Sequence, residues 1–219
     1  MATKKATKAV TEDTIIASYM DYVLTHEKEL KSIYGFCKDN EIDEQQFYQF
    51  FGSVAGIQNK IWEKFFTNTI AAMQANEEYE QFTNKDKMLT FLFSFFESLT
   101  LNRSYVLFVL NMHATPLKNL EQLKGLRKHV KAFATDLIED GNAEKATKLT
   151  QHNPQLFSEG AWLQVLFVLK FWMDDESPAF EKTDVVIEKS VNTIFDVFDN
   201  TPLDNILDFG KFLFKEKFA

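Results

Sequence analysis

The sequence has one cysteine, four prolines and seven glycines among 219 residues, and each shortage removes a class of answer. With Cys37 alone, no internal disulfide and no cysteine-cluster metal site can form, and such usage suits a reducing cytoplasm. So little glycine and proline leaves too few tight turns for an all-β fold. Positive charge is also in deficit. Lys and Arg total 24 against 32 Asp and Glu, a net charge of −8 that opposes nonspecific attraction to polyanions. A local basic patch is still compatible with that balance. The longest apolar run, AWLQVLFVLKFWM at 161–173, is too short to span a bilayer. The start, MATKKATKAV, lacks the apolar core of a secretory signal and reads as a basic tail over 1–11.

Catalytic and metal-binding patterns are missing too. The sequence has no Gly-rich phosphate loop and no readable Ser/His/Asp or Cys/His grouping. His26, His113, His129 and His152 are scattered, none at i, i+4 spacing from another His or Cys, so no metal site is expected. Asp174-Asp175-Glu176 precedes a helix start, where favourable dipole electrostatics and solvation explain it better than a catalytic carboxylate pair. The expectation is a protein without a cofactor that is not an enzyme.

What the chain does have is phenylalanine, 23 residues of it, and helical periodicity. Its four prolines occur as Thr115-Pro116, Asn153-Pro154, Ser177-Pro178 and Thr201-Pro202, each a capping residue followed by proline where a first helical residue stands. From Pro116, Leu117, Leu120, Leu123, Val130, Phe133 and Leu137 recur at helical spacing, with Gly141 as a stop. The segment from Pro154 to Met173 is apolar almost all round, so it belongs in a centre or an interface. Ile187, Val191, Ile194, Phe195 and Phe198 make a stripe after Pro178; Leu203, Ile206, Leu207, Leu213 and Phe214 make another after Pro202. In the first half, the pattern predicts helices over 12–25, 28–38, 43–51, 53–75, 84–99 and 102–112. The expected fold is all-α, three short helices followed by a bundle of about six longer ones.

A short helix, a turn, a second short helix and then a long one make a helix-turn-helix head on a helical body. The segment KSIYGFCKDNEIDEQQFYQFFGS resembles, without a gap, the helix-turn-helix of the TetR family of bacterial regulators. Ile33 and Phe36 take the apolar positions of the first helix, Cys37 the small one and Ile42 the Val of the turn. Asp43 stands for the capping Ser, and Phe47-Tyr48-Gln49-Phe50-Phe51-Gly52-Ser53 matches the signature end. The resemblance implies a head over 12–53, a ligand-binding and dimerisation body over 54–200, and an additional amphipathic helix over 201–219. It also implies DNA contacts: Lys31 and Tyr48 to phosphate, and Gln45, Gln46 and Gln49 to base edges.

The exterior departs from the family. Glu41 occupies the turn position where glycine is usual, so either it or Asn40 must take a left-handed conformation. Val54 replaces a lysine. Over 27–53 the cations are Lys28, Lys31 and Lys38 and the anions Glu27, Glu29, Asp39, Glu41, Asp43 and Glu44, giving 3 − 6 = −3 on the segment that should meet DNA. Lys4, Lys5 and Lys8 in the tail are the nearest other source of positive charge.

For the body, the resemblance implies a cavity for a hydrophobic small molecule or lipid. Phe95, Arg103, Tyr105, Phe108, Trp162 and Phe167 are the candidate lining, with Asn111, His113 and Gln164 as further polar anchors. Taken singly, each is better explained by an aromatic core or a solvated helix end. Helices 155–173 and 179–199 would form a homodimer interface. Phe209, Phe212, Phe214 and Phe218, interleaved with Lys211, Lys215 and Lys217, suit a membrane surface or a partner groove, or pack back on the bundle. Two functions follow: a cytoplasmic, ligand-responsive transcriptional regulator with weakened DNA binding, or a lipid carrier of TetR-like fold that no longer binds DNA.

Overall fold

The computed structural model describes residues 10–143 and 152–200, with side chains described as far as Val197. Thr201-Pro202, the amphipathic segment after it and the basic residues Lys4, Lys5 and Lys8 lie outside the described residues. Those described are helical, without a strand among them. In chain order the helices are α1 (Glu12–His26), α2 (Ile33–Asp39), α3 (Glu44–Phe50), α4 (Val54–Gln74), α5 (Asn84–Thr100), α6 (Arg103–Leu110), α7 (Pro116–Leu120), α8 (Lys124–Ala143), α9 (Pro154–Asp174) and α10 (Glu181–Asn200).

Two compact units emerge, 1–68 with 97–128, and 69–96 with 129–219. In the first, Thr11 and Thr14 open α1 with a capping box, and Glu27 ends it at φ 48° in the left-handed region. The expected helix over 28–38 begins only at Ile33, because Ser32 caps it by accepting from the Gly35 N–H at 3.1 Å. Lys64 ties α4 to α1 through Asp13 at 2.6 Å and Glu12 at 2.9 Å. Tyr19 and Tyr105 meet edge to face at 6.5 Å where α1 packs on α6.

The single helix expected from Pro116 to Gly141 is three pieces: α7, a 3₁₀ turn over Glu121–Leu123, and α8. Side chains hold the break. The Trp62 indole N–H donates to Gln122 Oε1 at 2.9 Å, and Gln122 Nε2 donates to the Asn119 carbonyl at 3.0 Å and the Val109 carbonyl at 3.1 Å. Leu117, expected inward, is exposed. Gly141 does not stop α8, which runs on to Ala143. A Cβ at Gly141 would lie 2.9 Å from Asn84 Nδ2, which itself donates to the Leu137 carbonyl at 2.7 Å, so the glycine serves a close approach within the second unit.

The core of that second unit is aromatic. Phe91 stacks on Phe95 at 5.5 Å and meets Phe133 at 5.1 Å, and Phe96 lies 6.2 Å from Trp172. Such pairs add about 0.5–1.5 kcal/mol each beyond area burial. Asn153 caps α9 by accepting from Gln155 and Leu156. Starting there, α9 has 21 residues and, by length and composition alone, could cross a membrane, although half of its most apolar window is buried. That extends the apolar run read from the sequence by two turns. α9 and α10 pack antiparallel, with Phe157 on Phe195 and Gln164 bonded to Ser190, and Trp172 of α9 meets Phe180 of the turn before α10.

Candidate functional site

The head is built from the inside out. Phe47 of α3 is fully buried and receives Phe36 edge-on at 6.2 Å and Phe51 at 5.8 Å. Removing a ring so placed costs about 3–5 kcal/mol. The turn between α2 and α3 closes with Asn40, Glu41 and Ile42 N–H groups donating to the Phe36, Lys38 and Cys37 carbonyls. Glu41 takes the left-handed conformation at φ 56°, while Asn40 stays at φ −101°. The backbone geometry reserved for glycine is therefore kept with a glutamate in it, at roughly 1–2 kcal/mol of strain. Asp43 caps α3, its Oδ1 accepting from the Gln45 N–H at 2.9 Å. Burial pushes the Cys37 thiol up, and Glu44 and Asp43 push it the same way, which keeps it protonated and inert.

Gln45, Gln46, Tyr48 and Gln49 share the outward side of α3, and Lys31 is exposed just before α2. The five residues with expected DNA roles thus lie on the surface of one unit. The anions lie there as well: Asp39, Glu41 and Asp43 are exposed and Glu44 half-buried. Lys60 and Lys64 of α4 are committed elsewhere, to Glu12, Asp13 and Glu63.

The six candidate ligand residues fall in two groups. Phe95, Trp162 and Phe167 belong to the second unit, Arg103, Tyr105 and Phe108 to the first. Phe95 and Trp162 are buried, but Phe167 is 57 % exposed on the outward side of α9. Arg103 and Phe108 are half-buried in α6. Tyr105 is buried with its hydroxyl unpaired, and burial, helped by Tyr19, holds its pKa well above the usual phenol range. Two further anchors are already engaged: Gln164 with Ser190 at 2.9 Å, and Asn111 with the Leu107 carbonyl at 2.9 Å.

One cavity escaped the sequence reading. A cleft of about 260 Å³ in the first unit is lined by Glu29, Asn59, Met112, His113, Lys118 and Gln122, among others. It joins the α1–α2 loop, the first turns of α4 and the α6–α7 connection. Asn59 Oδ1 is buried beside it without a hydrogen bond. Asn119 braces the connection by exchanging two bonds with the His113 backbone at 2.8 and 2.9 Å, an order that no sequence motif marks. Burial pushes the Tyr19 phenol, near the cleft, up to about 12; the hydrogen bond from Gln58 opposes the shift and Glu29 adds to it. Among the described residues no group of three or more His, Cys, Asp or Glu is placed to hold a metal.

A family profile described as tetracyclin repressor-like, C-terminal domain, matches residues 87–213, more than half of the chain and most of the helical body. No curated protein matches the chain.

Proposed function

The chain belongs to the TetR family, whose members are regulators rather than enzymes, and on that premise we propose a ligand-responsive transcriptional regulator whose head binds DNA weakly. The observation that carries this reading is a complete helix-turn-helix skeleton with an anionic exterior. Phe36, Phe47, the Asp43 cap and the left-handed turn residue are all in place, while 27–53 sums to −3. The head spans 12–53 and the body 54–200, in the cytoplasm. Lys31 and Tyr48 meet phosphate and Gln45, Gln46 and Gln49 meet base edges, but too few cations remain for tight binding at physiological salt. The protein works as a homodimer through α9 and α10. Leu163 and Phe167 present unpartnered apolar surface on α9, and Val185 and Val197 do so on α10. An effector, a hydrophobic small molecule or lipid bound in the body, changes the spacing of the two heads and so their fit to two half-sites. A titration against the promoter of its own operon tests this: a discrete complex at low salt that weakens with effector supports it, and binding no tighter than to unrelated DNA contradicts it.

The anionic head also favours a second reading, a lipid carrier that has left DNA behind, with the segment over 201–219 meeting a membrane or partner. Native mass spectrometry of the purified protein separates the two: a stoichiometric bound lipid supports the carrier, and an empty protein that takes up no fatty acid or quinone removes it.

A further inference from the structure

The cleft in the first unit has walls of mixed chemistry. All of its lining residues belong to 1–68 and 97–128, so the aromatic core of the second unit contributes none. Val109 and Met112 give it an apolar side. Three side-chain amides line it, and two of them are engaged. Gln58 donates to the Tyr19 hydroxyl at 2.9 Å, and Gln122 bonds Trp62 and the Asn119 and Val109 carbonyls. Asn59 differs, its Oδ1 buried without a hydrogen bond. Buried polar atoms in native folds are nearly always paired, so an orphan at a cavity wall points to something that pairs with it there. The charges around the cleft are open as well. Glu29 comes from the α1–α2 loop, Lys118 from α7, Glu121 from the 3₁₀ turn and Lys124 from the start of α8. Among the described residues no ion pair engages any of these four.

We propose that this cleft binds a small zwitterion of the amino-acid or short-peptide class. Its carboxylate is met by Lys118 and Lys124, its ammonium by Glu29 and the Asn59 oxygen, and its apolar side chain by Val109 and Met112. Two cations and two anions cancel on the walls, which disfavours a polyanion or a polycation and favours a ligand carrying one charge of each sign. The Asn59 amide turns on a soft terminal torsion, so an ammonium N–H can draw its oxygen into the cleft. The volume of about 260 Å³ falls below the range of about 300–1,000 Å³ that drug-sized ligands occupy, which suits a molecule of this size. The inference goes beyond the regulator reading, whose effector is hydrophobic, and it stands whether or not the head binds DNA.

The test is calorimetric titration of the full chain with each common L-amino acid and with the dipeptides Ala-Leu and Gly-Met. The expected result is at least one probe with a dissociation constant below about 1 mM. A tightest probe that is an amino acid assigns the cleft to free amino acids, and one that is a dipeptide assigns it to peptides. The amide of that probe lacks the anion and its N-acetyl form lacks the cation; each should bind at least about tenfold more weakly than the probe itself. Lys118→Gln with Lys124→Gln, Glu29→Gln alone and Asn59→Leu alone should each weaken the probe about tenfold. Lys118, Lys124 and Glu29 are exposed, so their variants should keep the fold, which circular dichroism checks. No binding by any probe at millimolar concentration, equal binding of a singly charged derivative, or unchanged affinity in the Lys118/Lys124 and Glu29 variants each overturns the proposal.

Discussion

Two helix pairs in this chain are joined by turns that look alike on paper and behave differently. Both turns are acidic, and both put non-glycine residues at positive φ: Glu41 at 56° between α2 and α3, Ala179 at 53° and Phe180 at 60° between α9 and α10. In the second turn the acid faces inward. Asp175 is buried, and its carboxylate accepts four hydrogen bonds, from the N–H and hydroxyl of Ser177 at 2.9 and 2.7 Å and of Thr183 at 2.9 and 2.7 Å. In the first turn the acids face water, and apart from the Asp43 cap they hold no part of the structure. The outward surfaces differ in the same way. α9 and α10 present Leu163, Phe167, Val185 and Val197, whereas α2 and α3 present carboxylates with aromatic rings. An acid that closes a turn is a structural part; an acid left outside a well-built turn can change at little cost in stability.

The largest effect should come from the outward side of α9. Leu163→Glu with Phe167→Glu should raise the dimer dissociation constant by at least about a hundredfold, a shift of about 3 kcal/mol. Light scattering at micromolar concentration reads it, and a wild type that is already monomeric breaks the interface assignment. Next, Asp175→Ala should cost roughly 3 kcal/mol in urea unfolding, because it leaves four donors facing a buried site. The matching Asp39→Ala in the head should stay within about 0.5 kcal/mol. Equal costs would erase the contrast between the turns.

The pH dependence of that contrast has a definite sign. Burial alone would raise the Asp175 pKa, but the hydrogen bonds from Ser177 and Thr183 outweigh it and draw the carboxyl down to about 2. A depressed carboxylate contributes its stability above the unfolded value of about 4 and loses it as pH falls toward 2. The stability gap between wild type and Asp175→Asn should therefore narrow across that window. The smallest effect is expected at Glu41→Gly. Relief of the left-handed strain is partly offset by the freedom of glycine in the unfolded chain, leaving a gain under about 1 kcal/mol.

Much of the fold is legible because local signals carry it. The Thr11–Thr14 box, the Asn153 cap and the apolar spacing of α5 needed no distant partner. The turn between α2 and α3 could be read for the same reason, since Ile42, Phe47 and Phe51 are fixed by a motif of contiguous residues. Where long-range bonds decide, reading failed. The break between α7 and α8 depends on Trp62 reaching Gln122, and the continuation of α8 past Gly141 depends on Asn84 needing that space. Sequence left Asn40 and Glu41 as alternatives for the left-handed position, because both precede the cap and only the closed turn chooses. The cleft beside Asn59 gathers residues from three distant segments, none of which carries a motif.

The central proposal is that this chain keeps a helix-turn-helix skeleton in its interior while its exterior has turned away from DNA. The most direct measurement is a salt-series titration of a fragment of its own operon's promoter with the wild type and with Asp39→Lys/Glu41→Lys. The account predicts that the wild type loses measurable binding at physiological salt and that the variant binds at least about tenfold tighter than wild type at every salt concentration. Nanomolar, sequence-specific binding by the wild type at physiological salt, unimproved by the variant, would contradict it.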